Sequence, residues 1–182
     1  MKETKDSELV RQCLEGKPEA FEELVQRYQK AIFNCAYRMT NDYEDAEDIT
    51  QSVFIKAYEK LKMYRPKFKF FSWIYRIAVN ETLNYLNQKK RTEKLDPNLI
   101  SEEKTPEELY DAMEMSEKLQ NALMDIGLDY QILIVLKHFQ NLSYREIAYI
   151  LDIPEKKVKS RLFSARQILR GILISKGFVL ND

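Results

Sequence analysis

Glycine and proline are scarce in this chain, with 4 and 5 among 182 residues. So few turn-formers disfavour an all-β fold of many tight hairpins, and equally a glycine-rich nucleotide-binding loop. Histidine occurs once, as His138, so no histidine metal site, Ser/His/Asp order or HExxH pattern is available. The two cysteines, Cys13 and Cys35, each fall in an apolar helical pattern. They give neither a disulfide framework nor a zinc spacing and read as free thiols in a reducing compartment. No apolar run reaches the roughly 18 residues that suggest a membrane span. The opening Met1-Lys2-Glu3-Thr4-Lys5-Asp6 lacks the apolar stretch of a signal peptide. The expectation is a cytoplasmic protein that makes no membrane contact itself, with no metal, no cofactor and no catalytic residue.

What is present is charge and helical pattern. Lysine plus arginine and aspartate plus glutamate are equal at 29 each, for a net charge of 0. That balance hides four blocks. Residues 1–61 hold 9 basic and 13 acidic side chains, a net of −4; residues 62–94 hold 9 and 2, a net of +7. Residues 95–126 hold 2 and 9, a net of −7; residues 127–182 hold 9 and 5, a net of +4. Charge runs often mark only a solvated face, but two basic blocks flanking an acidic one suggest two polyanion-facing surfaces with a repelled spacer.

The apolar spacing predicts helices almost throughout. Pro18 opens one that carries Phe21, Leu24, Val25, Tyr28, Ile32 and Phe33. A second covers about 42–61, with Ala46, Ile49, Val53, Ala57 and Leu61 inward, and a third about 70–90. Residues 91–105, with Pro97 and no period, read as linker. Pro106 opens the next helix, which Gly127 ends, and another follows over 128–139. The expected architecture is all-α, two small helical domains joined by a flexible acidic linker: 1–92, then 93–106, then 107–182.

The sharpest local signal lies near the C-terminus. Ser143-Tyr144-Arg145-Glu146 is a capping box, and Ile147, Ala148 and Leu151 then point inward. Asp152-Ile153 makes a turn, and Pro154 suits the start of the following helix. That helix carries Val158, Leu162, Ala165 and Leu169 as a packing stripe. Its other side shows Lys156, Lys157, Lys159, Ser160, Phe163, Ser164, Arg166, Gln167 and Arg170. Two helices on a short turn, the second basic outside, describe a helix-turn-helix. A helix fits the major groove, cations neutralise phosphates, and short polar side chains reach base edges.

The earlier basic block differs in kind. Met63-Tyr64-Arg65-Pro66-Lys67-Phe68-Lys69-Phe70-Phe71 alternates cations with aromatic rings around a helix-blocking proline. Rings that stack on unpaired bases, beside cations that hold phosphates, are the chemistry of single-strand binding. Tyr64, Phe68 and Phe70 are candidates for that role or for core. Phe71, Trp73, Ile74, Ile77 and Ala78 read as core. Along the following helix Ser72, Arg76, Asn80, Asn84 and Asn87 form a polar stripe suited to base contacts. Asp42, Glu44, Asp45, Glu47 and Asp48 exceed what a helix dipole needs, and a protein-docking face is the better reading.

These segments together resemble the extracytoplasmic-function (ECF) sigma factors of bacterial RNA polymerase, over about Glu15 to Arg170. The carriers are Asp45-Ala46-Glu47-Asp48-Ile49-Thr50-Gln51 with Phe54-Ile55-Lys56-Ala57-Tyr58, and Phe71-Ser72-Trp73-Ile74-Tyr75-Arg76-Ile77-Ala78 with Asn80. In the C-terminal part they are Leu142-Ser143-Tyr144-Arg145-Glu146-Ile147-Ala148, then Ile153-Pro154, Val158-Lys159-Ser160-Arg161-Leu162 and Ala165-Arg166. The resemblance implies that Glu44, Asp45, Asp48, Gln51 and Ser52 dock on core RNA polymerase. It implies that Tyr64, Arg65, Lys67, Phe68, Lys69, Arg76, Asn80 and Asn84 meet the melted minus-ten element. It further implies that Lys156, Lys157, Lys159, Ser160, Arg161, Phe163, Ser164, Arg166 and Gln167 read the minus-thirty-five duplex. Promoter DNA, core polymerase and an anti-sigma factor are the partners so implied, with a stress or envelope response as the setting. The chain departs from the family at Lys156-Lys157 in place of Gly-Thr, at Leu128-Asp129 in place of Leu-Pro, and at Asp152 in place of glycine. A dimeric helix-turn-helix regulator acting on duplex DNA without polymerase is the competing reading.

Overall fold

Breakers and caps set the helix boundaries of the computed structural model, which describes residues 5–95 and 117–178. The first helix, α1 (Asp6–Leu14), buries Leu9 and Val10 and ends at Gly16, whose φ of 90° places it in the left-handed region. Pro18 precedes α2 (Glu19–Thr40), which Asn41 closes at φ 57°. The Asp42 side chain accepts the Asp45 amide and so caps α3 (Tyr43–Glu59). A 3₁₀ turn (Leu61–Met63) and the loop to Lys69 lead into α4 (Phe70–Leu95).

The long helix runs past the 90 expected from periodicity and takes up residues 93–95 of the expected linker. Residues 91–95 contain no breaker, and Pro97 disfavours helical backbone only at the residue before it. The remainder of the expected linker, and the helix start at Pro106, lie outside the described residues. The chain resumes with α5 (Glu117–Asp125), and Gly127 at φ 81° separates it from α6 (Leu128–Ile134). A π turn (Val135–Phe139) continues α6, with the Gln140 amide donating to the Val135 carbonyl. The helix-turn-helix follows as α7 (Tyr144–Leu151) and α8 (Glu155–Ser175). All described regular structure is helical, as expected.

Leu24, Ile32, Val53, Ile74 and Ala78 from the first half lie in one apolar cluster with Leu133, Leu136, Ile147, Val158 and Leu162 from the second. A second, smaller cluster joins Leu123, Ile126, Ile134 and Ala165. Polar contacts lock the halves further. The Gln131 side-chain amide donates to the Arg38 carbonyl at 2.8 Å, and the Arg38 guanidinium lies 3.9 Å from the Phe139 ring centroid. The Tyr75 hydroxyl bonds both the Ala31 carbonyl and Gln140 Oε1. Cys35 is fully buried, and burial pushes its thiol up to about 12, so it is inert at neutral pH. No described helix is long and apolar enough to cross a membrane.

Candidate nucleic-acid and protein interfaces

The acidic helix α3 presents Glu44, Glu47, Asp48, Gln51 and Ser52 to solvent, while Ala46, Ile49 and Val53 face the core. Asp45 differs from its neighbours. It is buried, accepts the Tyr85 hydroxyl on one oxygen and pairs with Lys89 Nζ at 2.7 Å on the other. Burial and this bond together raise the Tyr85 phenol well above its ordinary value. Asp45 therefore ties α3 to α4, and the outward acidic face is built from its neighbours. Ile55 and Tyr58 extend that face with apolar surface, 61% and 55% exposed. The core stripe of α3 leaves both residues out, and that was the available signal for them.

The aromatic-cationic loop has two faces. Phe70 is 1% exposed and packs on Tyr28, Tyr64 and Trp73, so it belongs to the core and not to a stacking platform. Phe70 is the first residue of α4, and its ring meets Tyr28 of α2 with centroids 5.6 Å apart. Tyr64 is half-buried and donates to the Phe68 carbonyl at 2.8 Å, which closes the loop on itself. Arg65, Lys67 and Lys69 stand exposed around it. Ile74 and Ala78 are buried and Phe71, Trp73 and Ile77 pack on the core, as expected. On α4, Ser72 is 3% exposed and so drops out of the polar stripe. Asn80, Asn84 and Asn87 remain exposed. Asn84 lines a groove of about 480 Å³ with Asp48 and Ser52, two helical turns beyond Arg76. Arg76 is half-buried: its guanidinium donates to the Tyr149 carbonyl at 3.1 Å and pairs with Asp152 at 3.3 Å.

The helix-turn-helix is built as its local signals require. Ser143 Oγ accepts the Glu146 amide at 3.2 Å, and Glu146 accepts the Ser143 amide at 2.9 Å. Burial would raise the Glu146 carboxyl, but its bonds from Ser143 and Lys69 outweigh this and hold it below its usual range. Asp152 takes the left-handed conformation at φ 56°, where glycine would be freer. Pro154 then starts α8, with Val158, Leu162 and Ala165 fully buried. Lys156, Lys157, Lys159, Ser160, Phe163 and Gln167 are exposed on the far side, with Arg161, Ser164 and Arg166 half-exposed beside them. Phe163 is 64% exposed, a large ring offered to whatever meets this face. Arg166 Nε donates to His138 Nε2 at 3.1 Å. Burial, then the cations Arg166 and Lys137, lower the His138 pKa, so the imidazole stays a neutral acceptor. No local spacing foretold that bond, since the partners come from different helices.

Surfaces of this kind, a capped helix-turn-helix, an exposed acidic helix and an aromatic-cationic loop on one chain, define a promoter-recognition factor. Residues 24–92 match sigma-70 region 2, and residues 116–169 match sigma-70, region 4. The ECF RNA polymerase sigma factor SigW of Bacillus subtilis is 32% identical over 173 residues, covering 88% of this chain and 92% of its own length. The ECF RNA polymerase sigma-E factor of Escherichia coli K12 is 34% identical over 176 residues, covering 90% and 92%. The chain belongs to the ECF sigma factor family. The fold is that of CnrH, solved with the cytosolic domain of CnrY, with a TM-score of 0.72 at 23% identity over 93% of this chain and 97% of that one. It is also that of RpoE of Bartonella quintana, solved with the anti-sigma factor NepR, with a TM-score of 0.72 at 21% identity over 84% and 96%.

Proposed function

We propose that this chain is a sigma factor of the ECF type, which binds core RNA polymerase and directs it to promoter DNA. The observation that carries the reading is the separation of two exposed surfaces of opposite chemistry: acidic and apolar on α3, basic with a projecting aromatic on α8. Glu44, Asp48, Gln51 and Ser52 contact the polymerase, and Asp45 acts by holding α3 against α4. Tyr64, Arg65, Lys67, Phe68, Lys69, Arg76, Asn80 and Asn84 serve the melted minus-ten strand, where rings stack on bases and cations take phosphates. Lys156, Lys157, Lys159, Ser160, Arg161, Phe163, Ser164, Arg166 and Gln167 serve the minus-thirty-five duplex. Residues 1–92 and 107–182 work as separate units on the polymerase, linked through 93–106. The protein catalyses no reaction of its own, works in the cytoplasm, and answers to an anti-sigma factor that covers these faces. Its setting is a stress or envelope response.

Transcription in vitro with purified core polymerase over a randomised promoter pool tests this. Enrichment of templates with two spaced elements is the expected result. No complex with core polymerase, together with unaided binding to two-fold symmetric operators, would instead make the chain a dimeric regulator.

A further inference from the structure

The loop and helix read above as DNA-facing are already occupied by part of the chain. The Tyr149 ring of α7 stacks on Phe68, with centroids 4.0 Å apart and planes 17° from parallel. The Arg76 guanidinium lies 5.3 Å from the same ring centroid. Around this stack, two carboxylates meet two cations: Glu146 takes Lys69 at 3.1 Å, and Asp152 takes Arg76 at 3.3 Å. A flat ring stacked on an aromatic and near a guanidinium, flanked by anions on neighbouring cations, is what a stacked base with its phosphates would present to the same residues.

We infer that α7 is an intramolecular mimic of single-stranded DNA, which occupies the minus-ten surface of the free chain and must leave before that surface can take a melted strand. The inference rests on the reading of Phe68, Lys69 and Arg76 as strand-binding residues. Its parts are weak singly. Each ion pair has one partner open to solvent, Lys69 at 78% and Asp152 at 82% accessible, and pairs screened in this way contribute little. A weak clasp suits a decoy, because a competitor has only a modest preference to overcome. The dissociation constant for DNA is divided by the fraction of chains that are open, so a clasp holding about nine chains in ten closed weakens binding about tenfold. The occupant belongs to the helix-turn-helix itself: Glu146 is both a member of the capping box of α7 and the partner of Lys69. Withdrawal of α7 therefore uncovers the strand-binding surface when the duplex-reading unit moves to its own element.

The test is binding of the full chain, without polymerase, to a fluorescein-labelled single-stranded DNA of about twelve nucleotides, a length one small binding surface can span. The double variant Tyr149→Ala/Asp152→Asn removes the ring and one carboxylate, and asparagine keeps a residue suited to the left-handed backbone at 152. It should bind about tenfold more tightly than the natural chain, whereas Tyr149→Phe, which keeps the ring, should bind like the natural chain. Hydroxyl-radical footprinting of the natural chain gives a second readout that needs no variant. Oxidation of the Tyr149 side chain should rise when the oligonucleotide saturates. Equal, measurable affinity of all three proteins, or a Tyr149 footprint unchanged by DNA, overturns the mimic and leaves the strand-binding loop standing. Absence of binding by every protein overturns both.

Discussion

Asp45 and Asp48 stand one helical turn apart on the acidic helix, and the structure separates their work. Asp45 is held by the Tyr85 hydroxyl and Lys89 within the α3–α4 seam, whereas Asp48 is exposed. Removing a buried acceptor takes the Tyr85 hydroxyl's bond and the shorter of the carboxylate contacts of Lys89, at a cost of about 1–3 kcal/mol. Removing an exposed carboxylate outside such a seam stays within about 0.5 kcal/mol. Asp45→Ala should therefore lower the urea midpoint, and lose polymerase affinity only as far as α3 shifts. Asp48→Lys should keep the midpoint and weaken polymerase binding at least tenfold, as read by a pull-down titration. If the two variants exchange these phenotypes, the assignment is wrong. Sequence reading placed both residues on the docking face, because both lie in one acidic run. What distinguishes them is Tyr85 and Lys89, some forty positions away, and no local pattern carries that pairing. Phe70 was open between core and surface for the same reason, since its partners Tyr28 and Tyr64 lie on other elements.

The helix-turn-helix was legible almost whole, because each of its determinants is local: a capping box, a left-handed Asp152, and Pro154 before a helix with a clean apolar stripe. Helix ends were legible where a breaker or a capping side chain stands, as Asp42 does before α3. Pro18 and Gly127 mark theirs, but α4 runs through the charged 91–95 segment, which periodicity had read as the edge of a linker. The capping box makes a quantitative claim about α7. Ser143→Ala removes two bonds, the one its hydroxyl accepts from the Glu146 amide and the one it donates to the Glu146 carboxylate at 2.7 Å, and should cost about 1 kcal/mol. The cost should depend on pH with a definite sign. The Glu146 carboxyl is held below its ordinary value in the folded chain, so its contribution is complete above the ordinary carboxyl range. That contribution is lost as the pH falls through the depressed folded value. Urea melts of the natural chain and Ser143→Ala should therefore differ most near neutrality, and in acid the difference should shrink to the part carried by the bond to the Glu146 amide, which does not titrate. A difference that grows on acidification would mean that Glu146 is not bound as its carboxylate.

The packing of the two halves on one another was not legible at all. It depends on contacts such as Gln131 with the Arg38 carbonyl and Tyr149 with Phe68, each joining residues far apart in the chain with no charge or period to pair them. The charge blocks pointed to two polyanion surfaces, and the packed arrangement brings the second half's Glu146 and Asp152 against the first half's Lys69 and Arg76. Two weak DNA surfaces on one chain gain affinity only when a scaffold holds both in register, because the second contact is then made at high effective concentration. Asn80 is the residue that isolates the strand-binding half of this scheme. It is exposed on α4, lies one turn beyond Arg76, and carries no charge. Its loss should leave the folded arrangement and non-specific phosphate binding intact, since affinity for duplex DNA follows the cations. Asn80→Ala in complex with core polymerase should therefore keep its footprint over the upstream duplex element. Permanganate reactivity of thymines in the downstream element should fall several-fold, because the melted strand loses a hydrogen-bonding partner. A parallel loss of both signals would mean that Asn80 acts on closed-complex binding, and α4 would no longer divide duplex reading from strand capture.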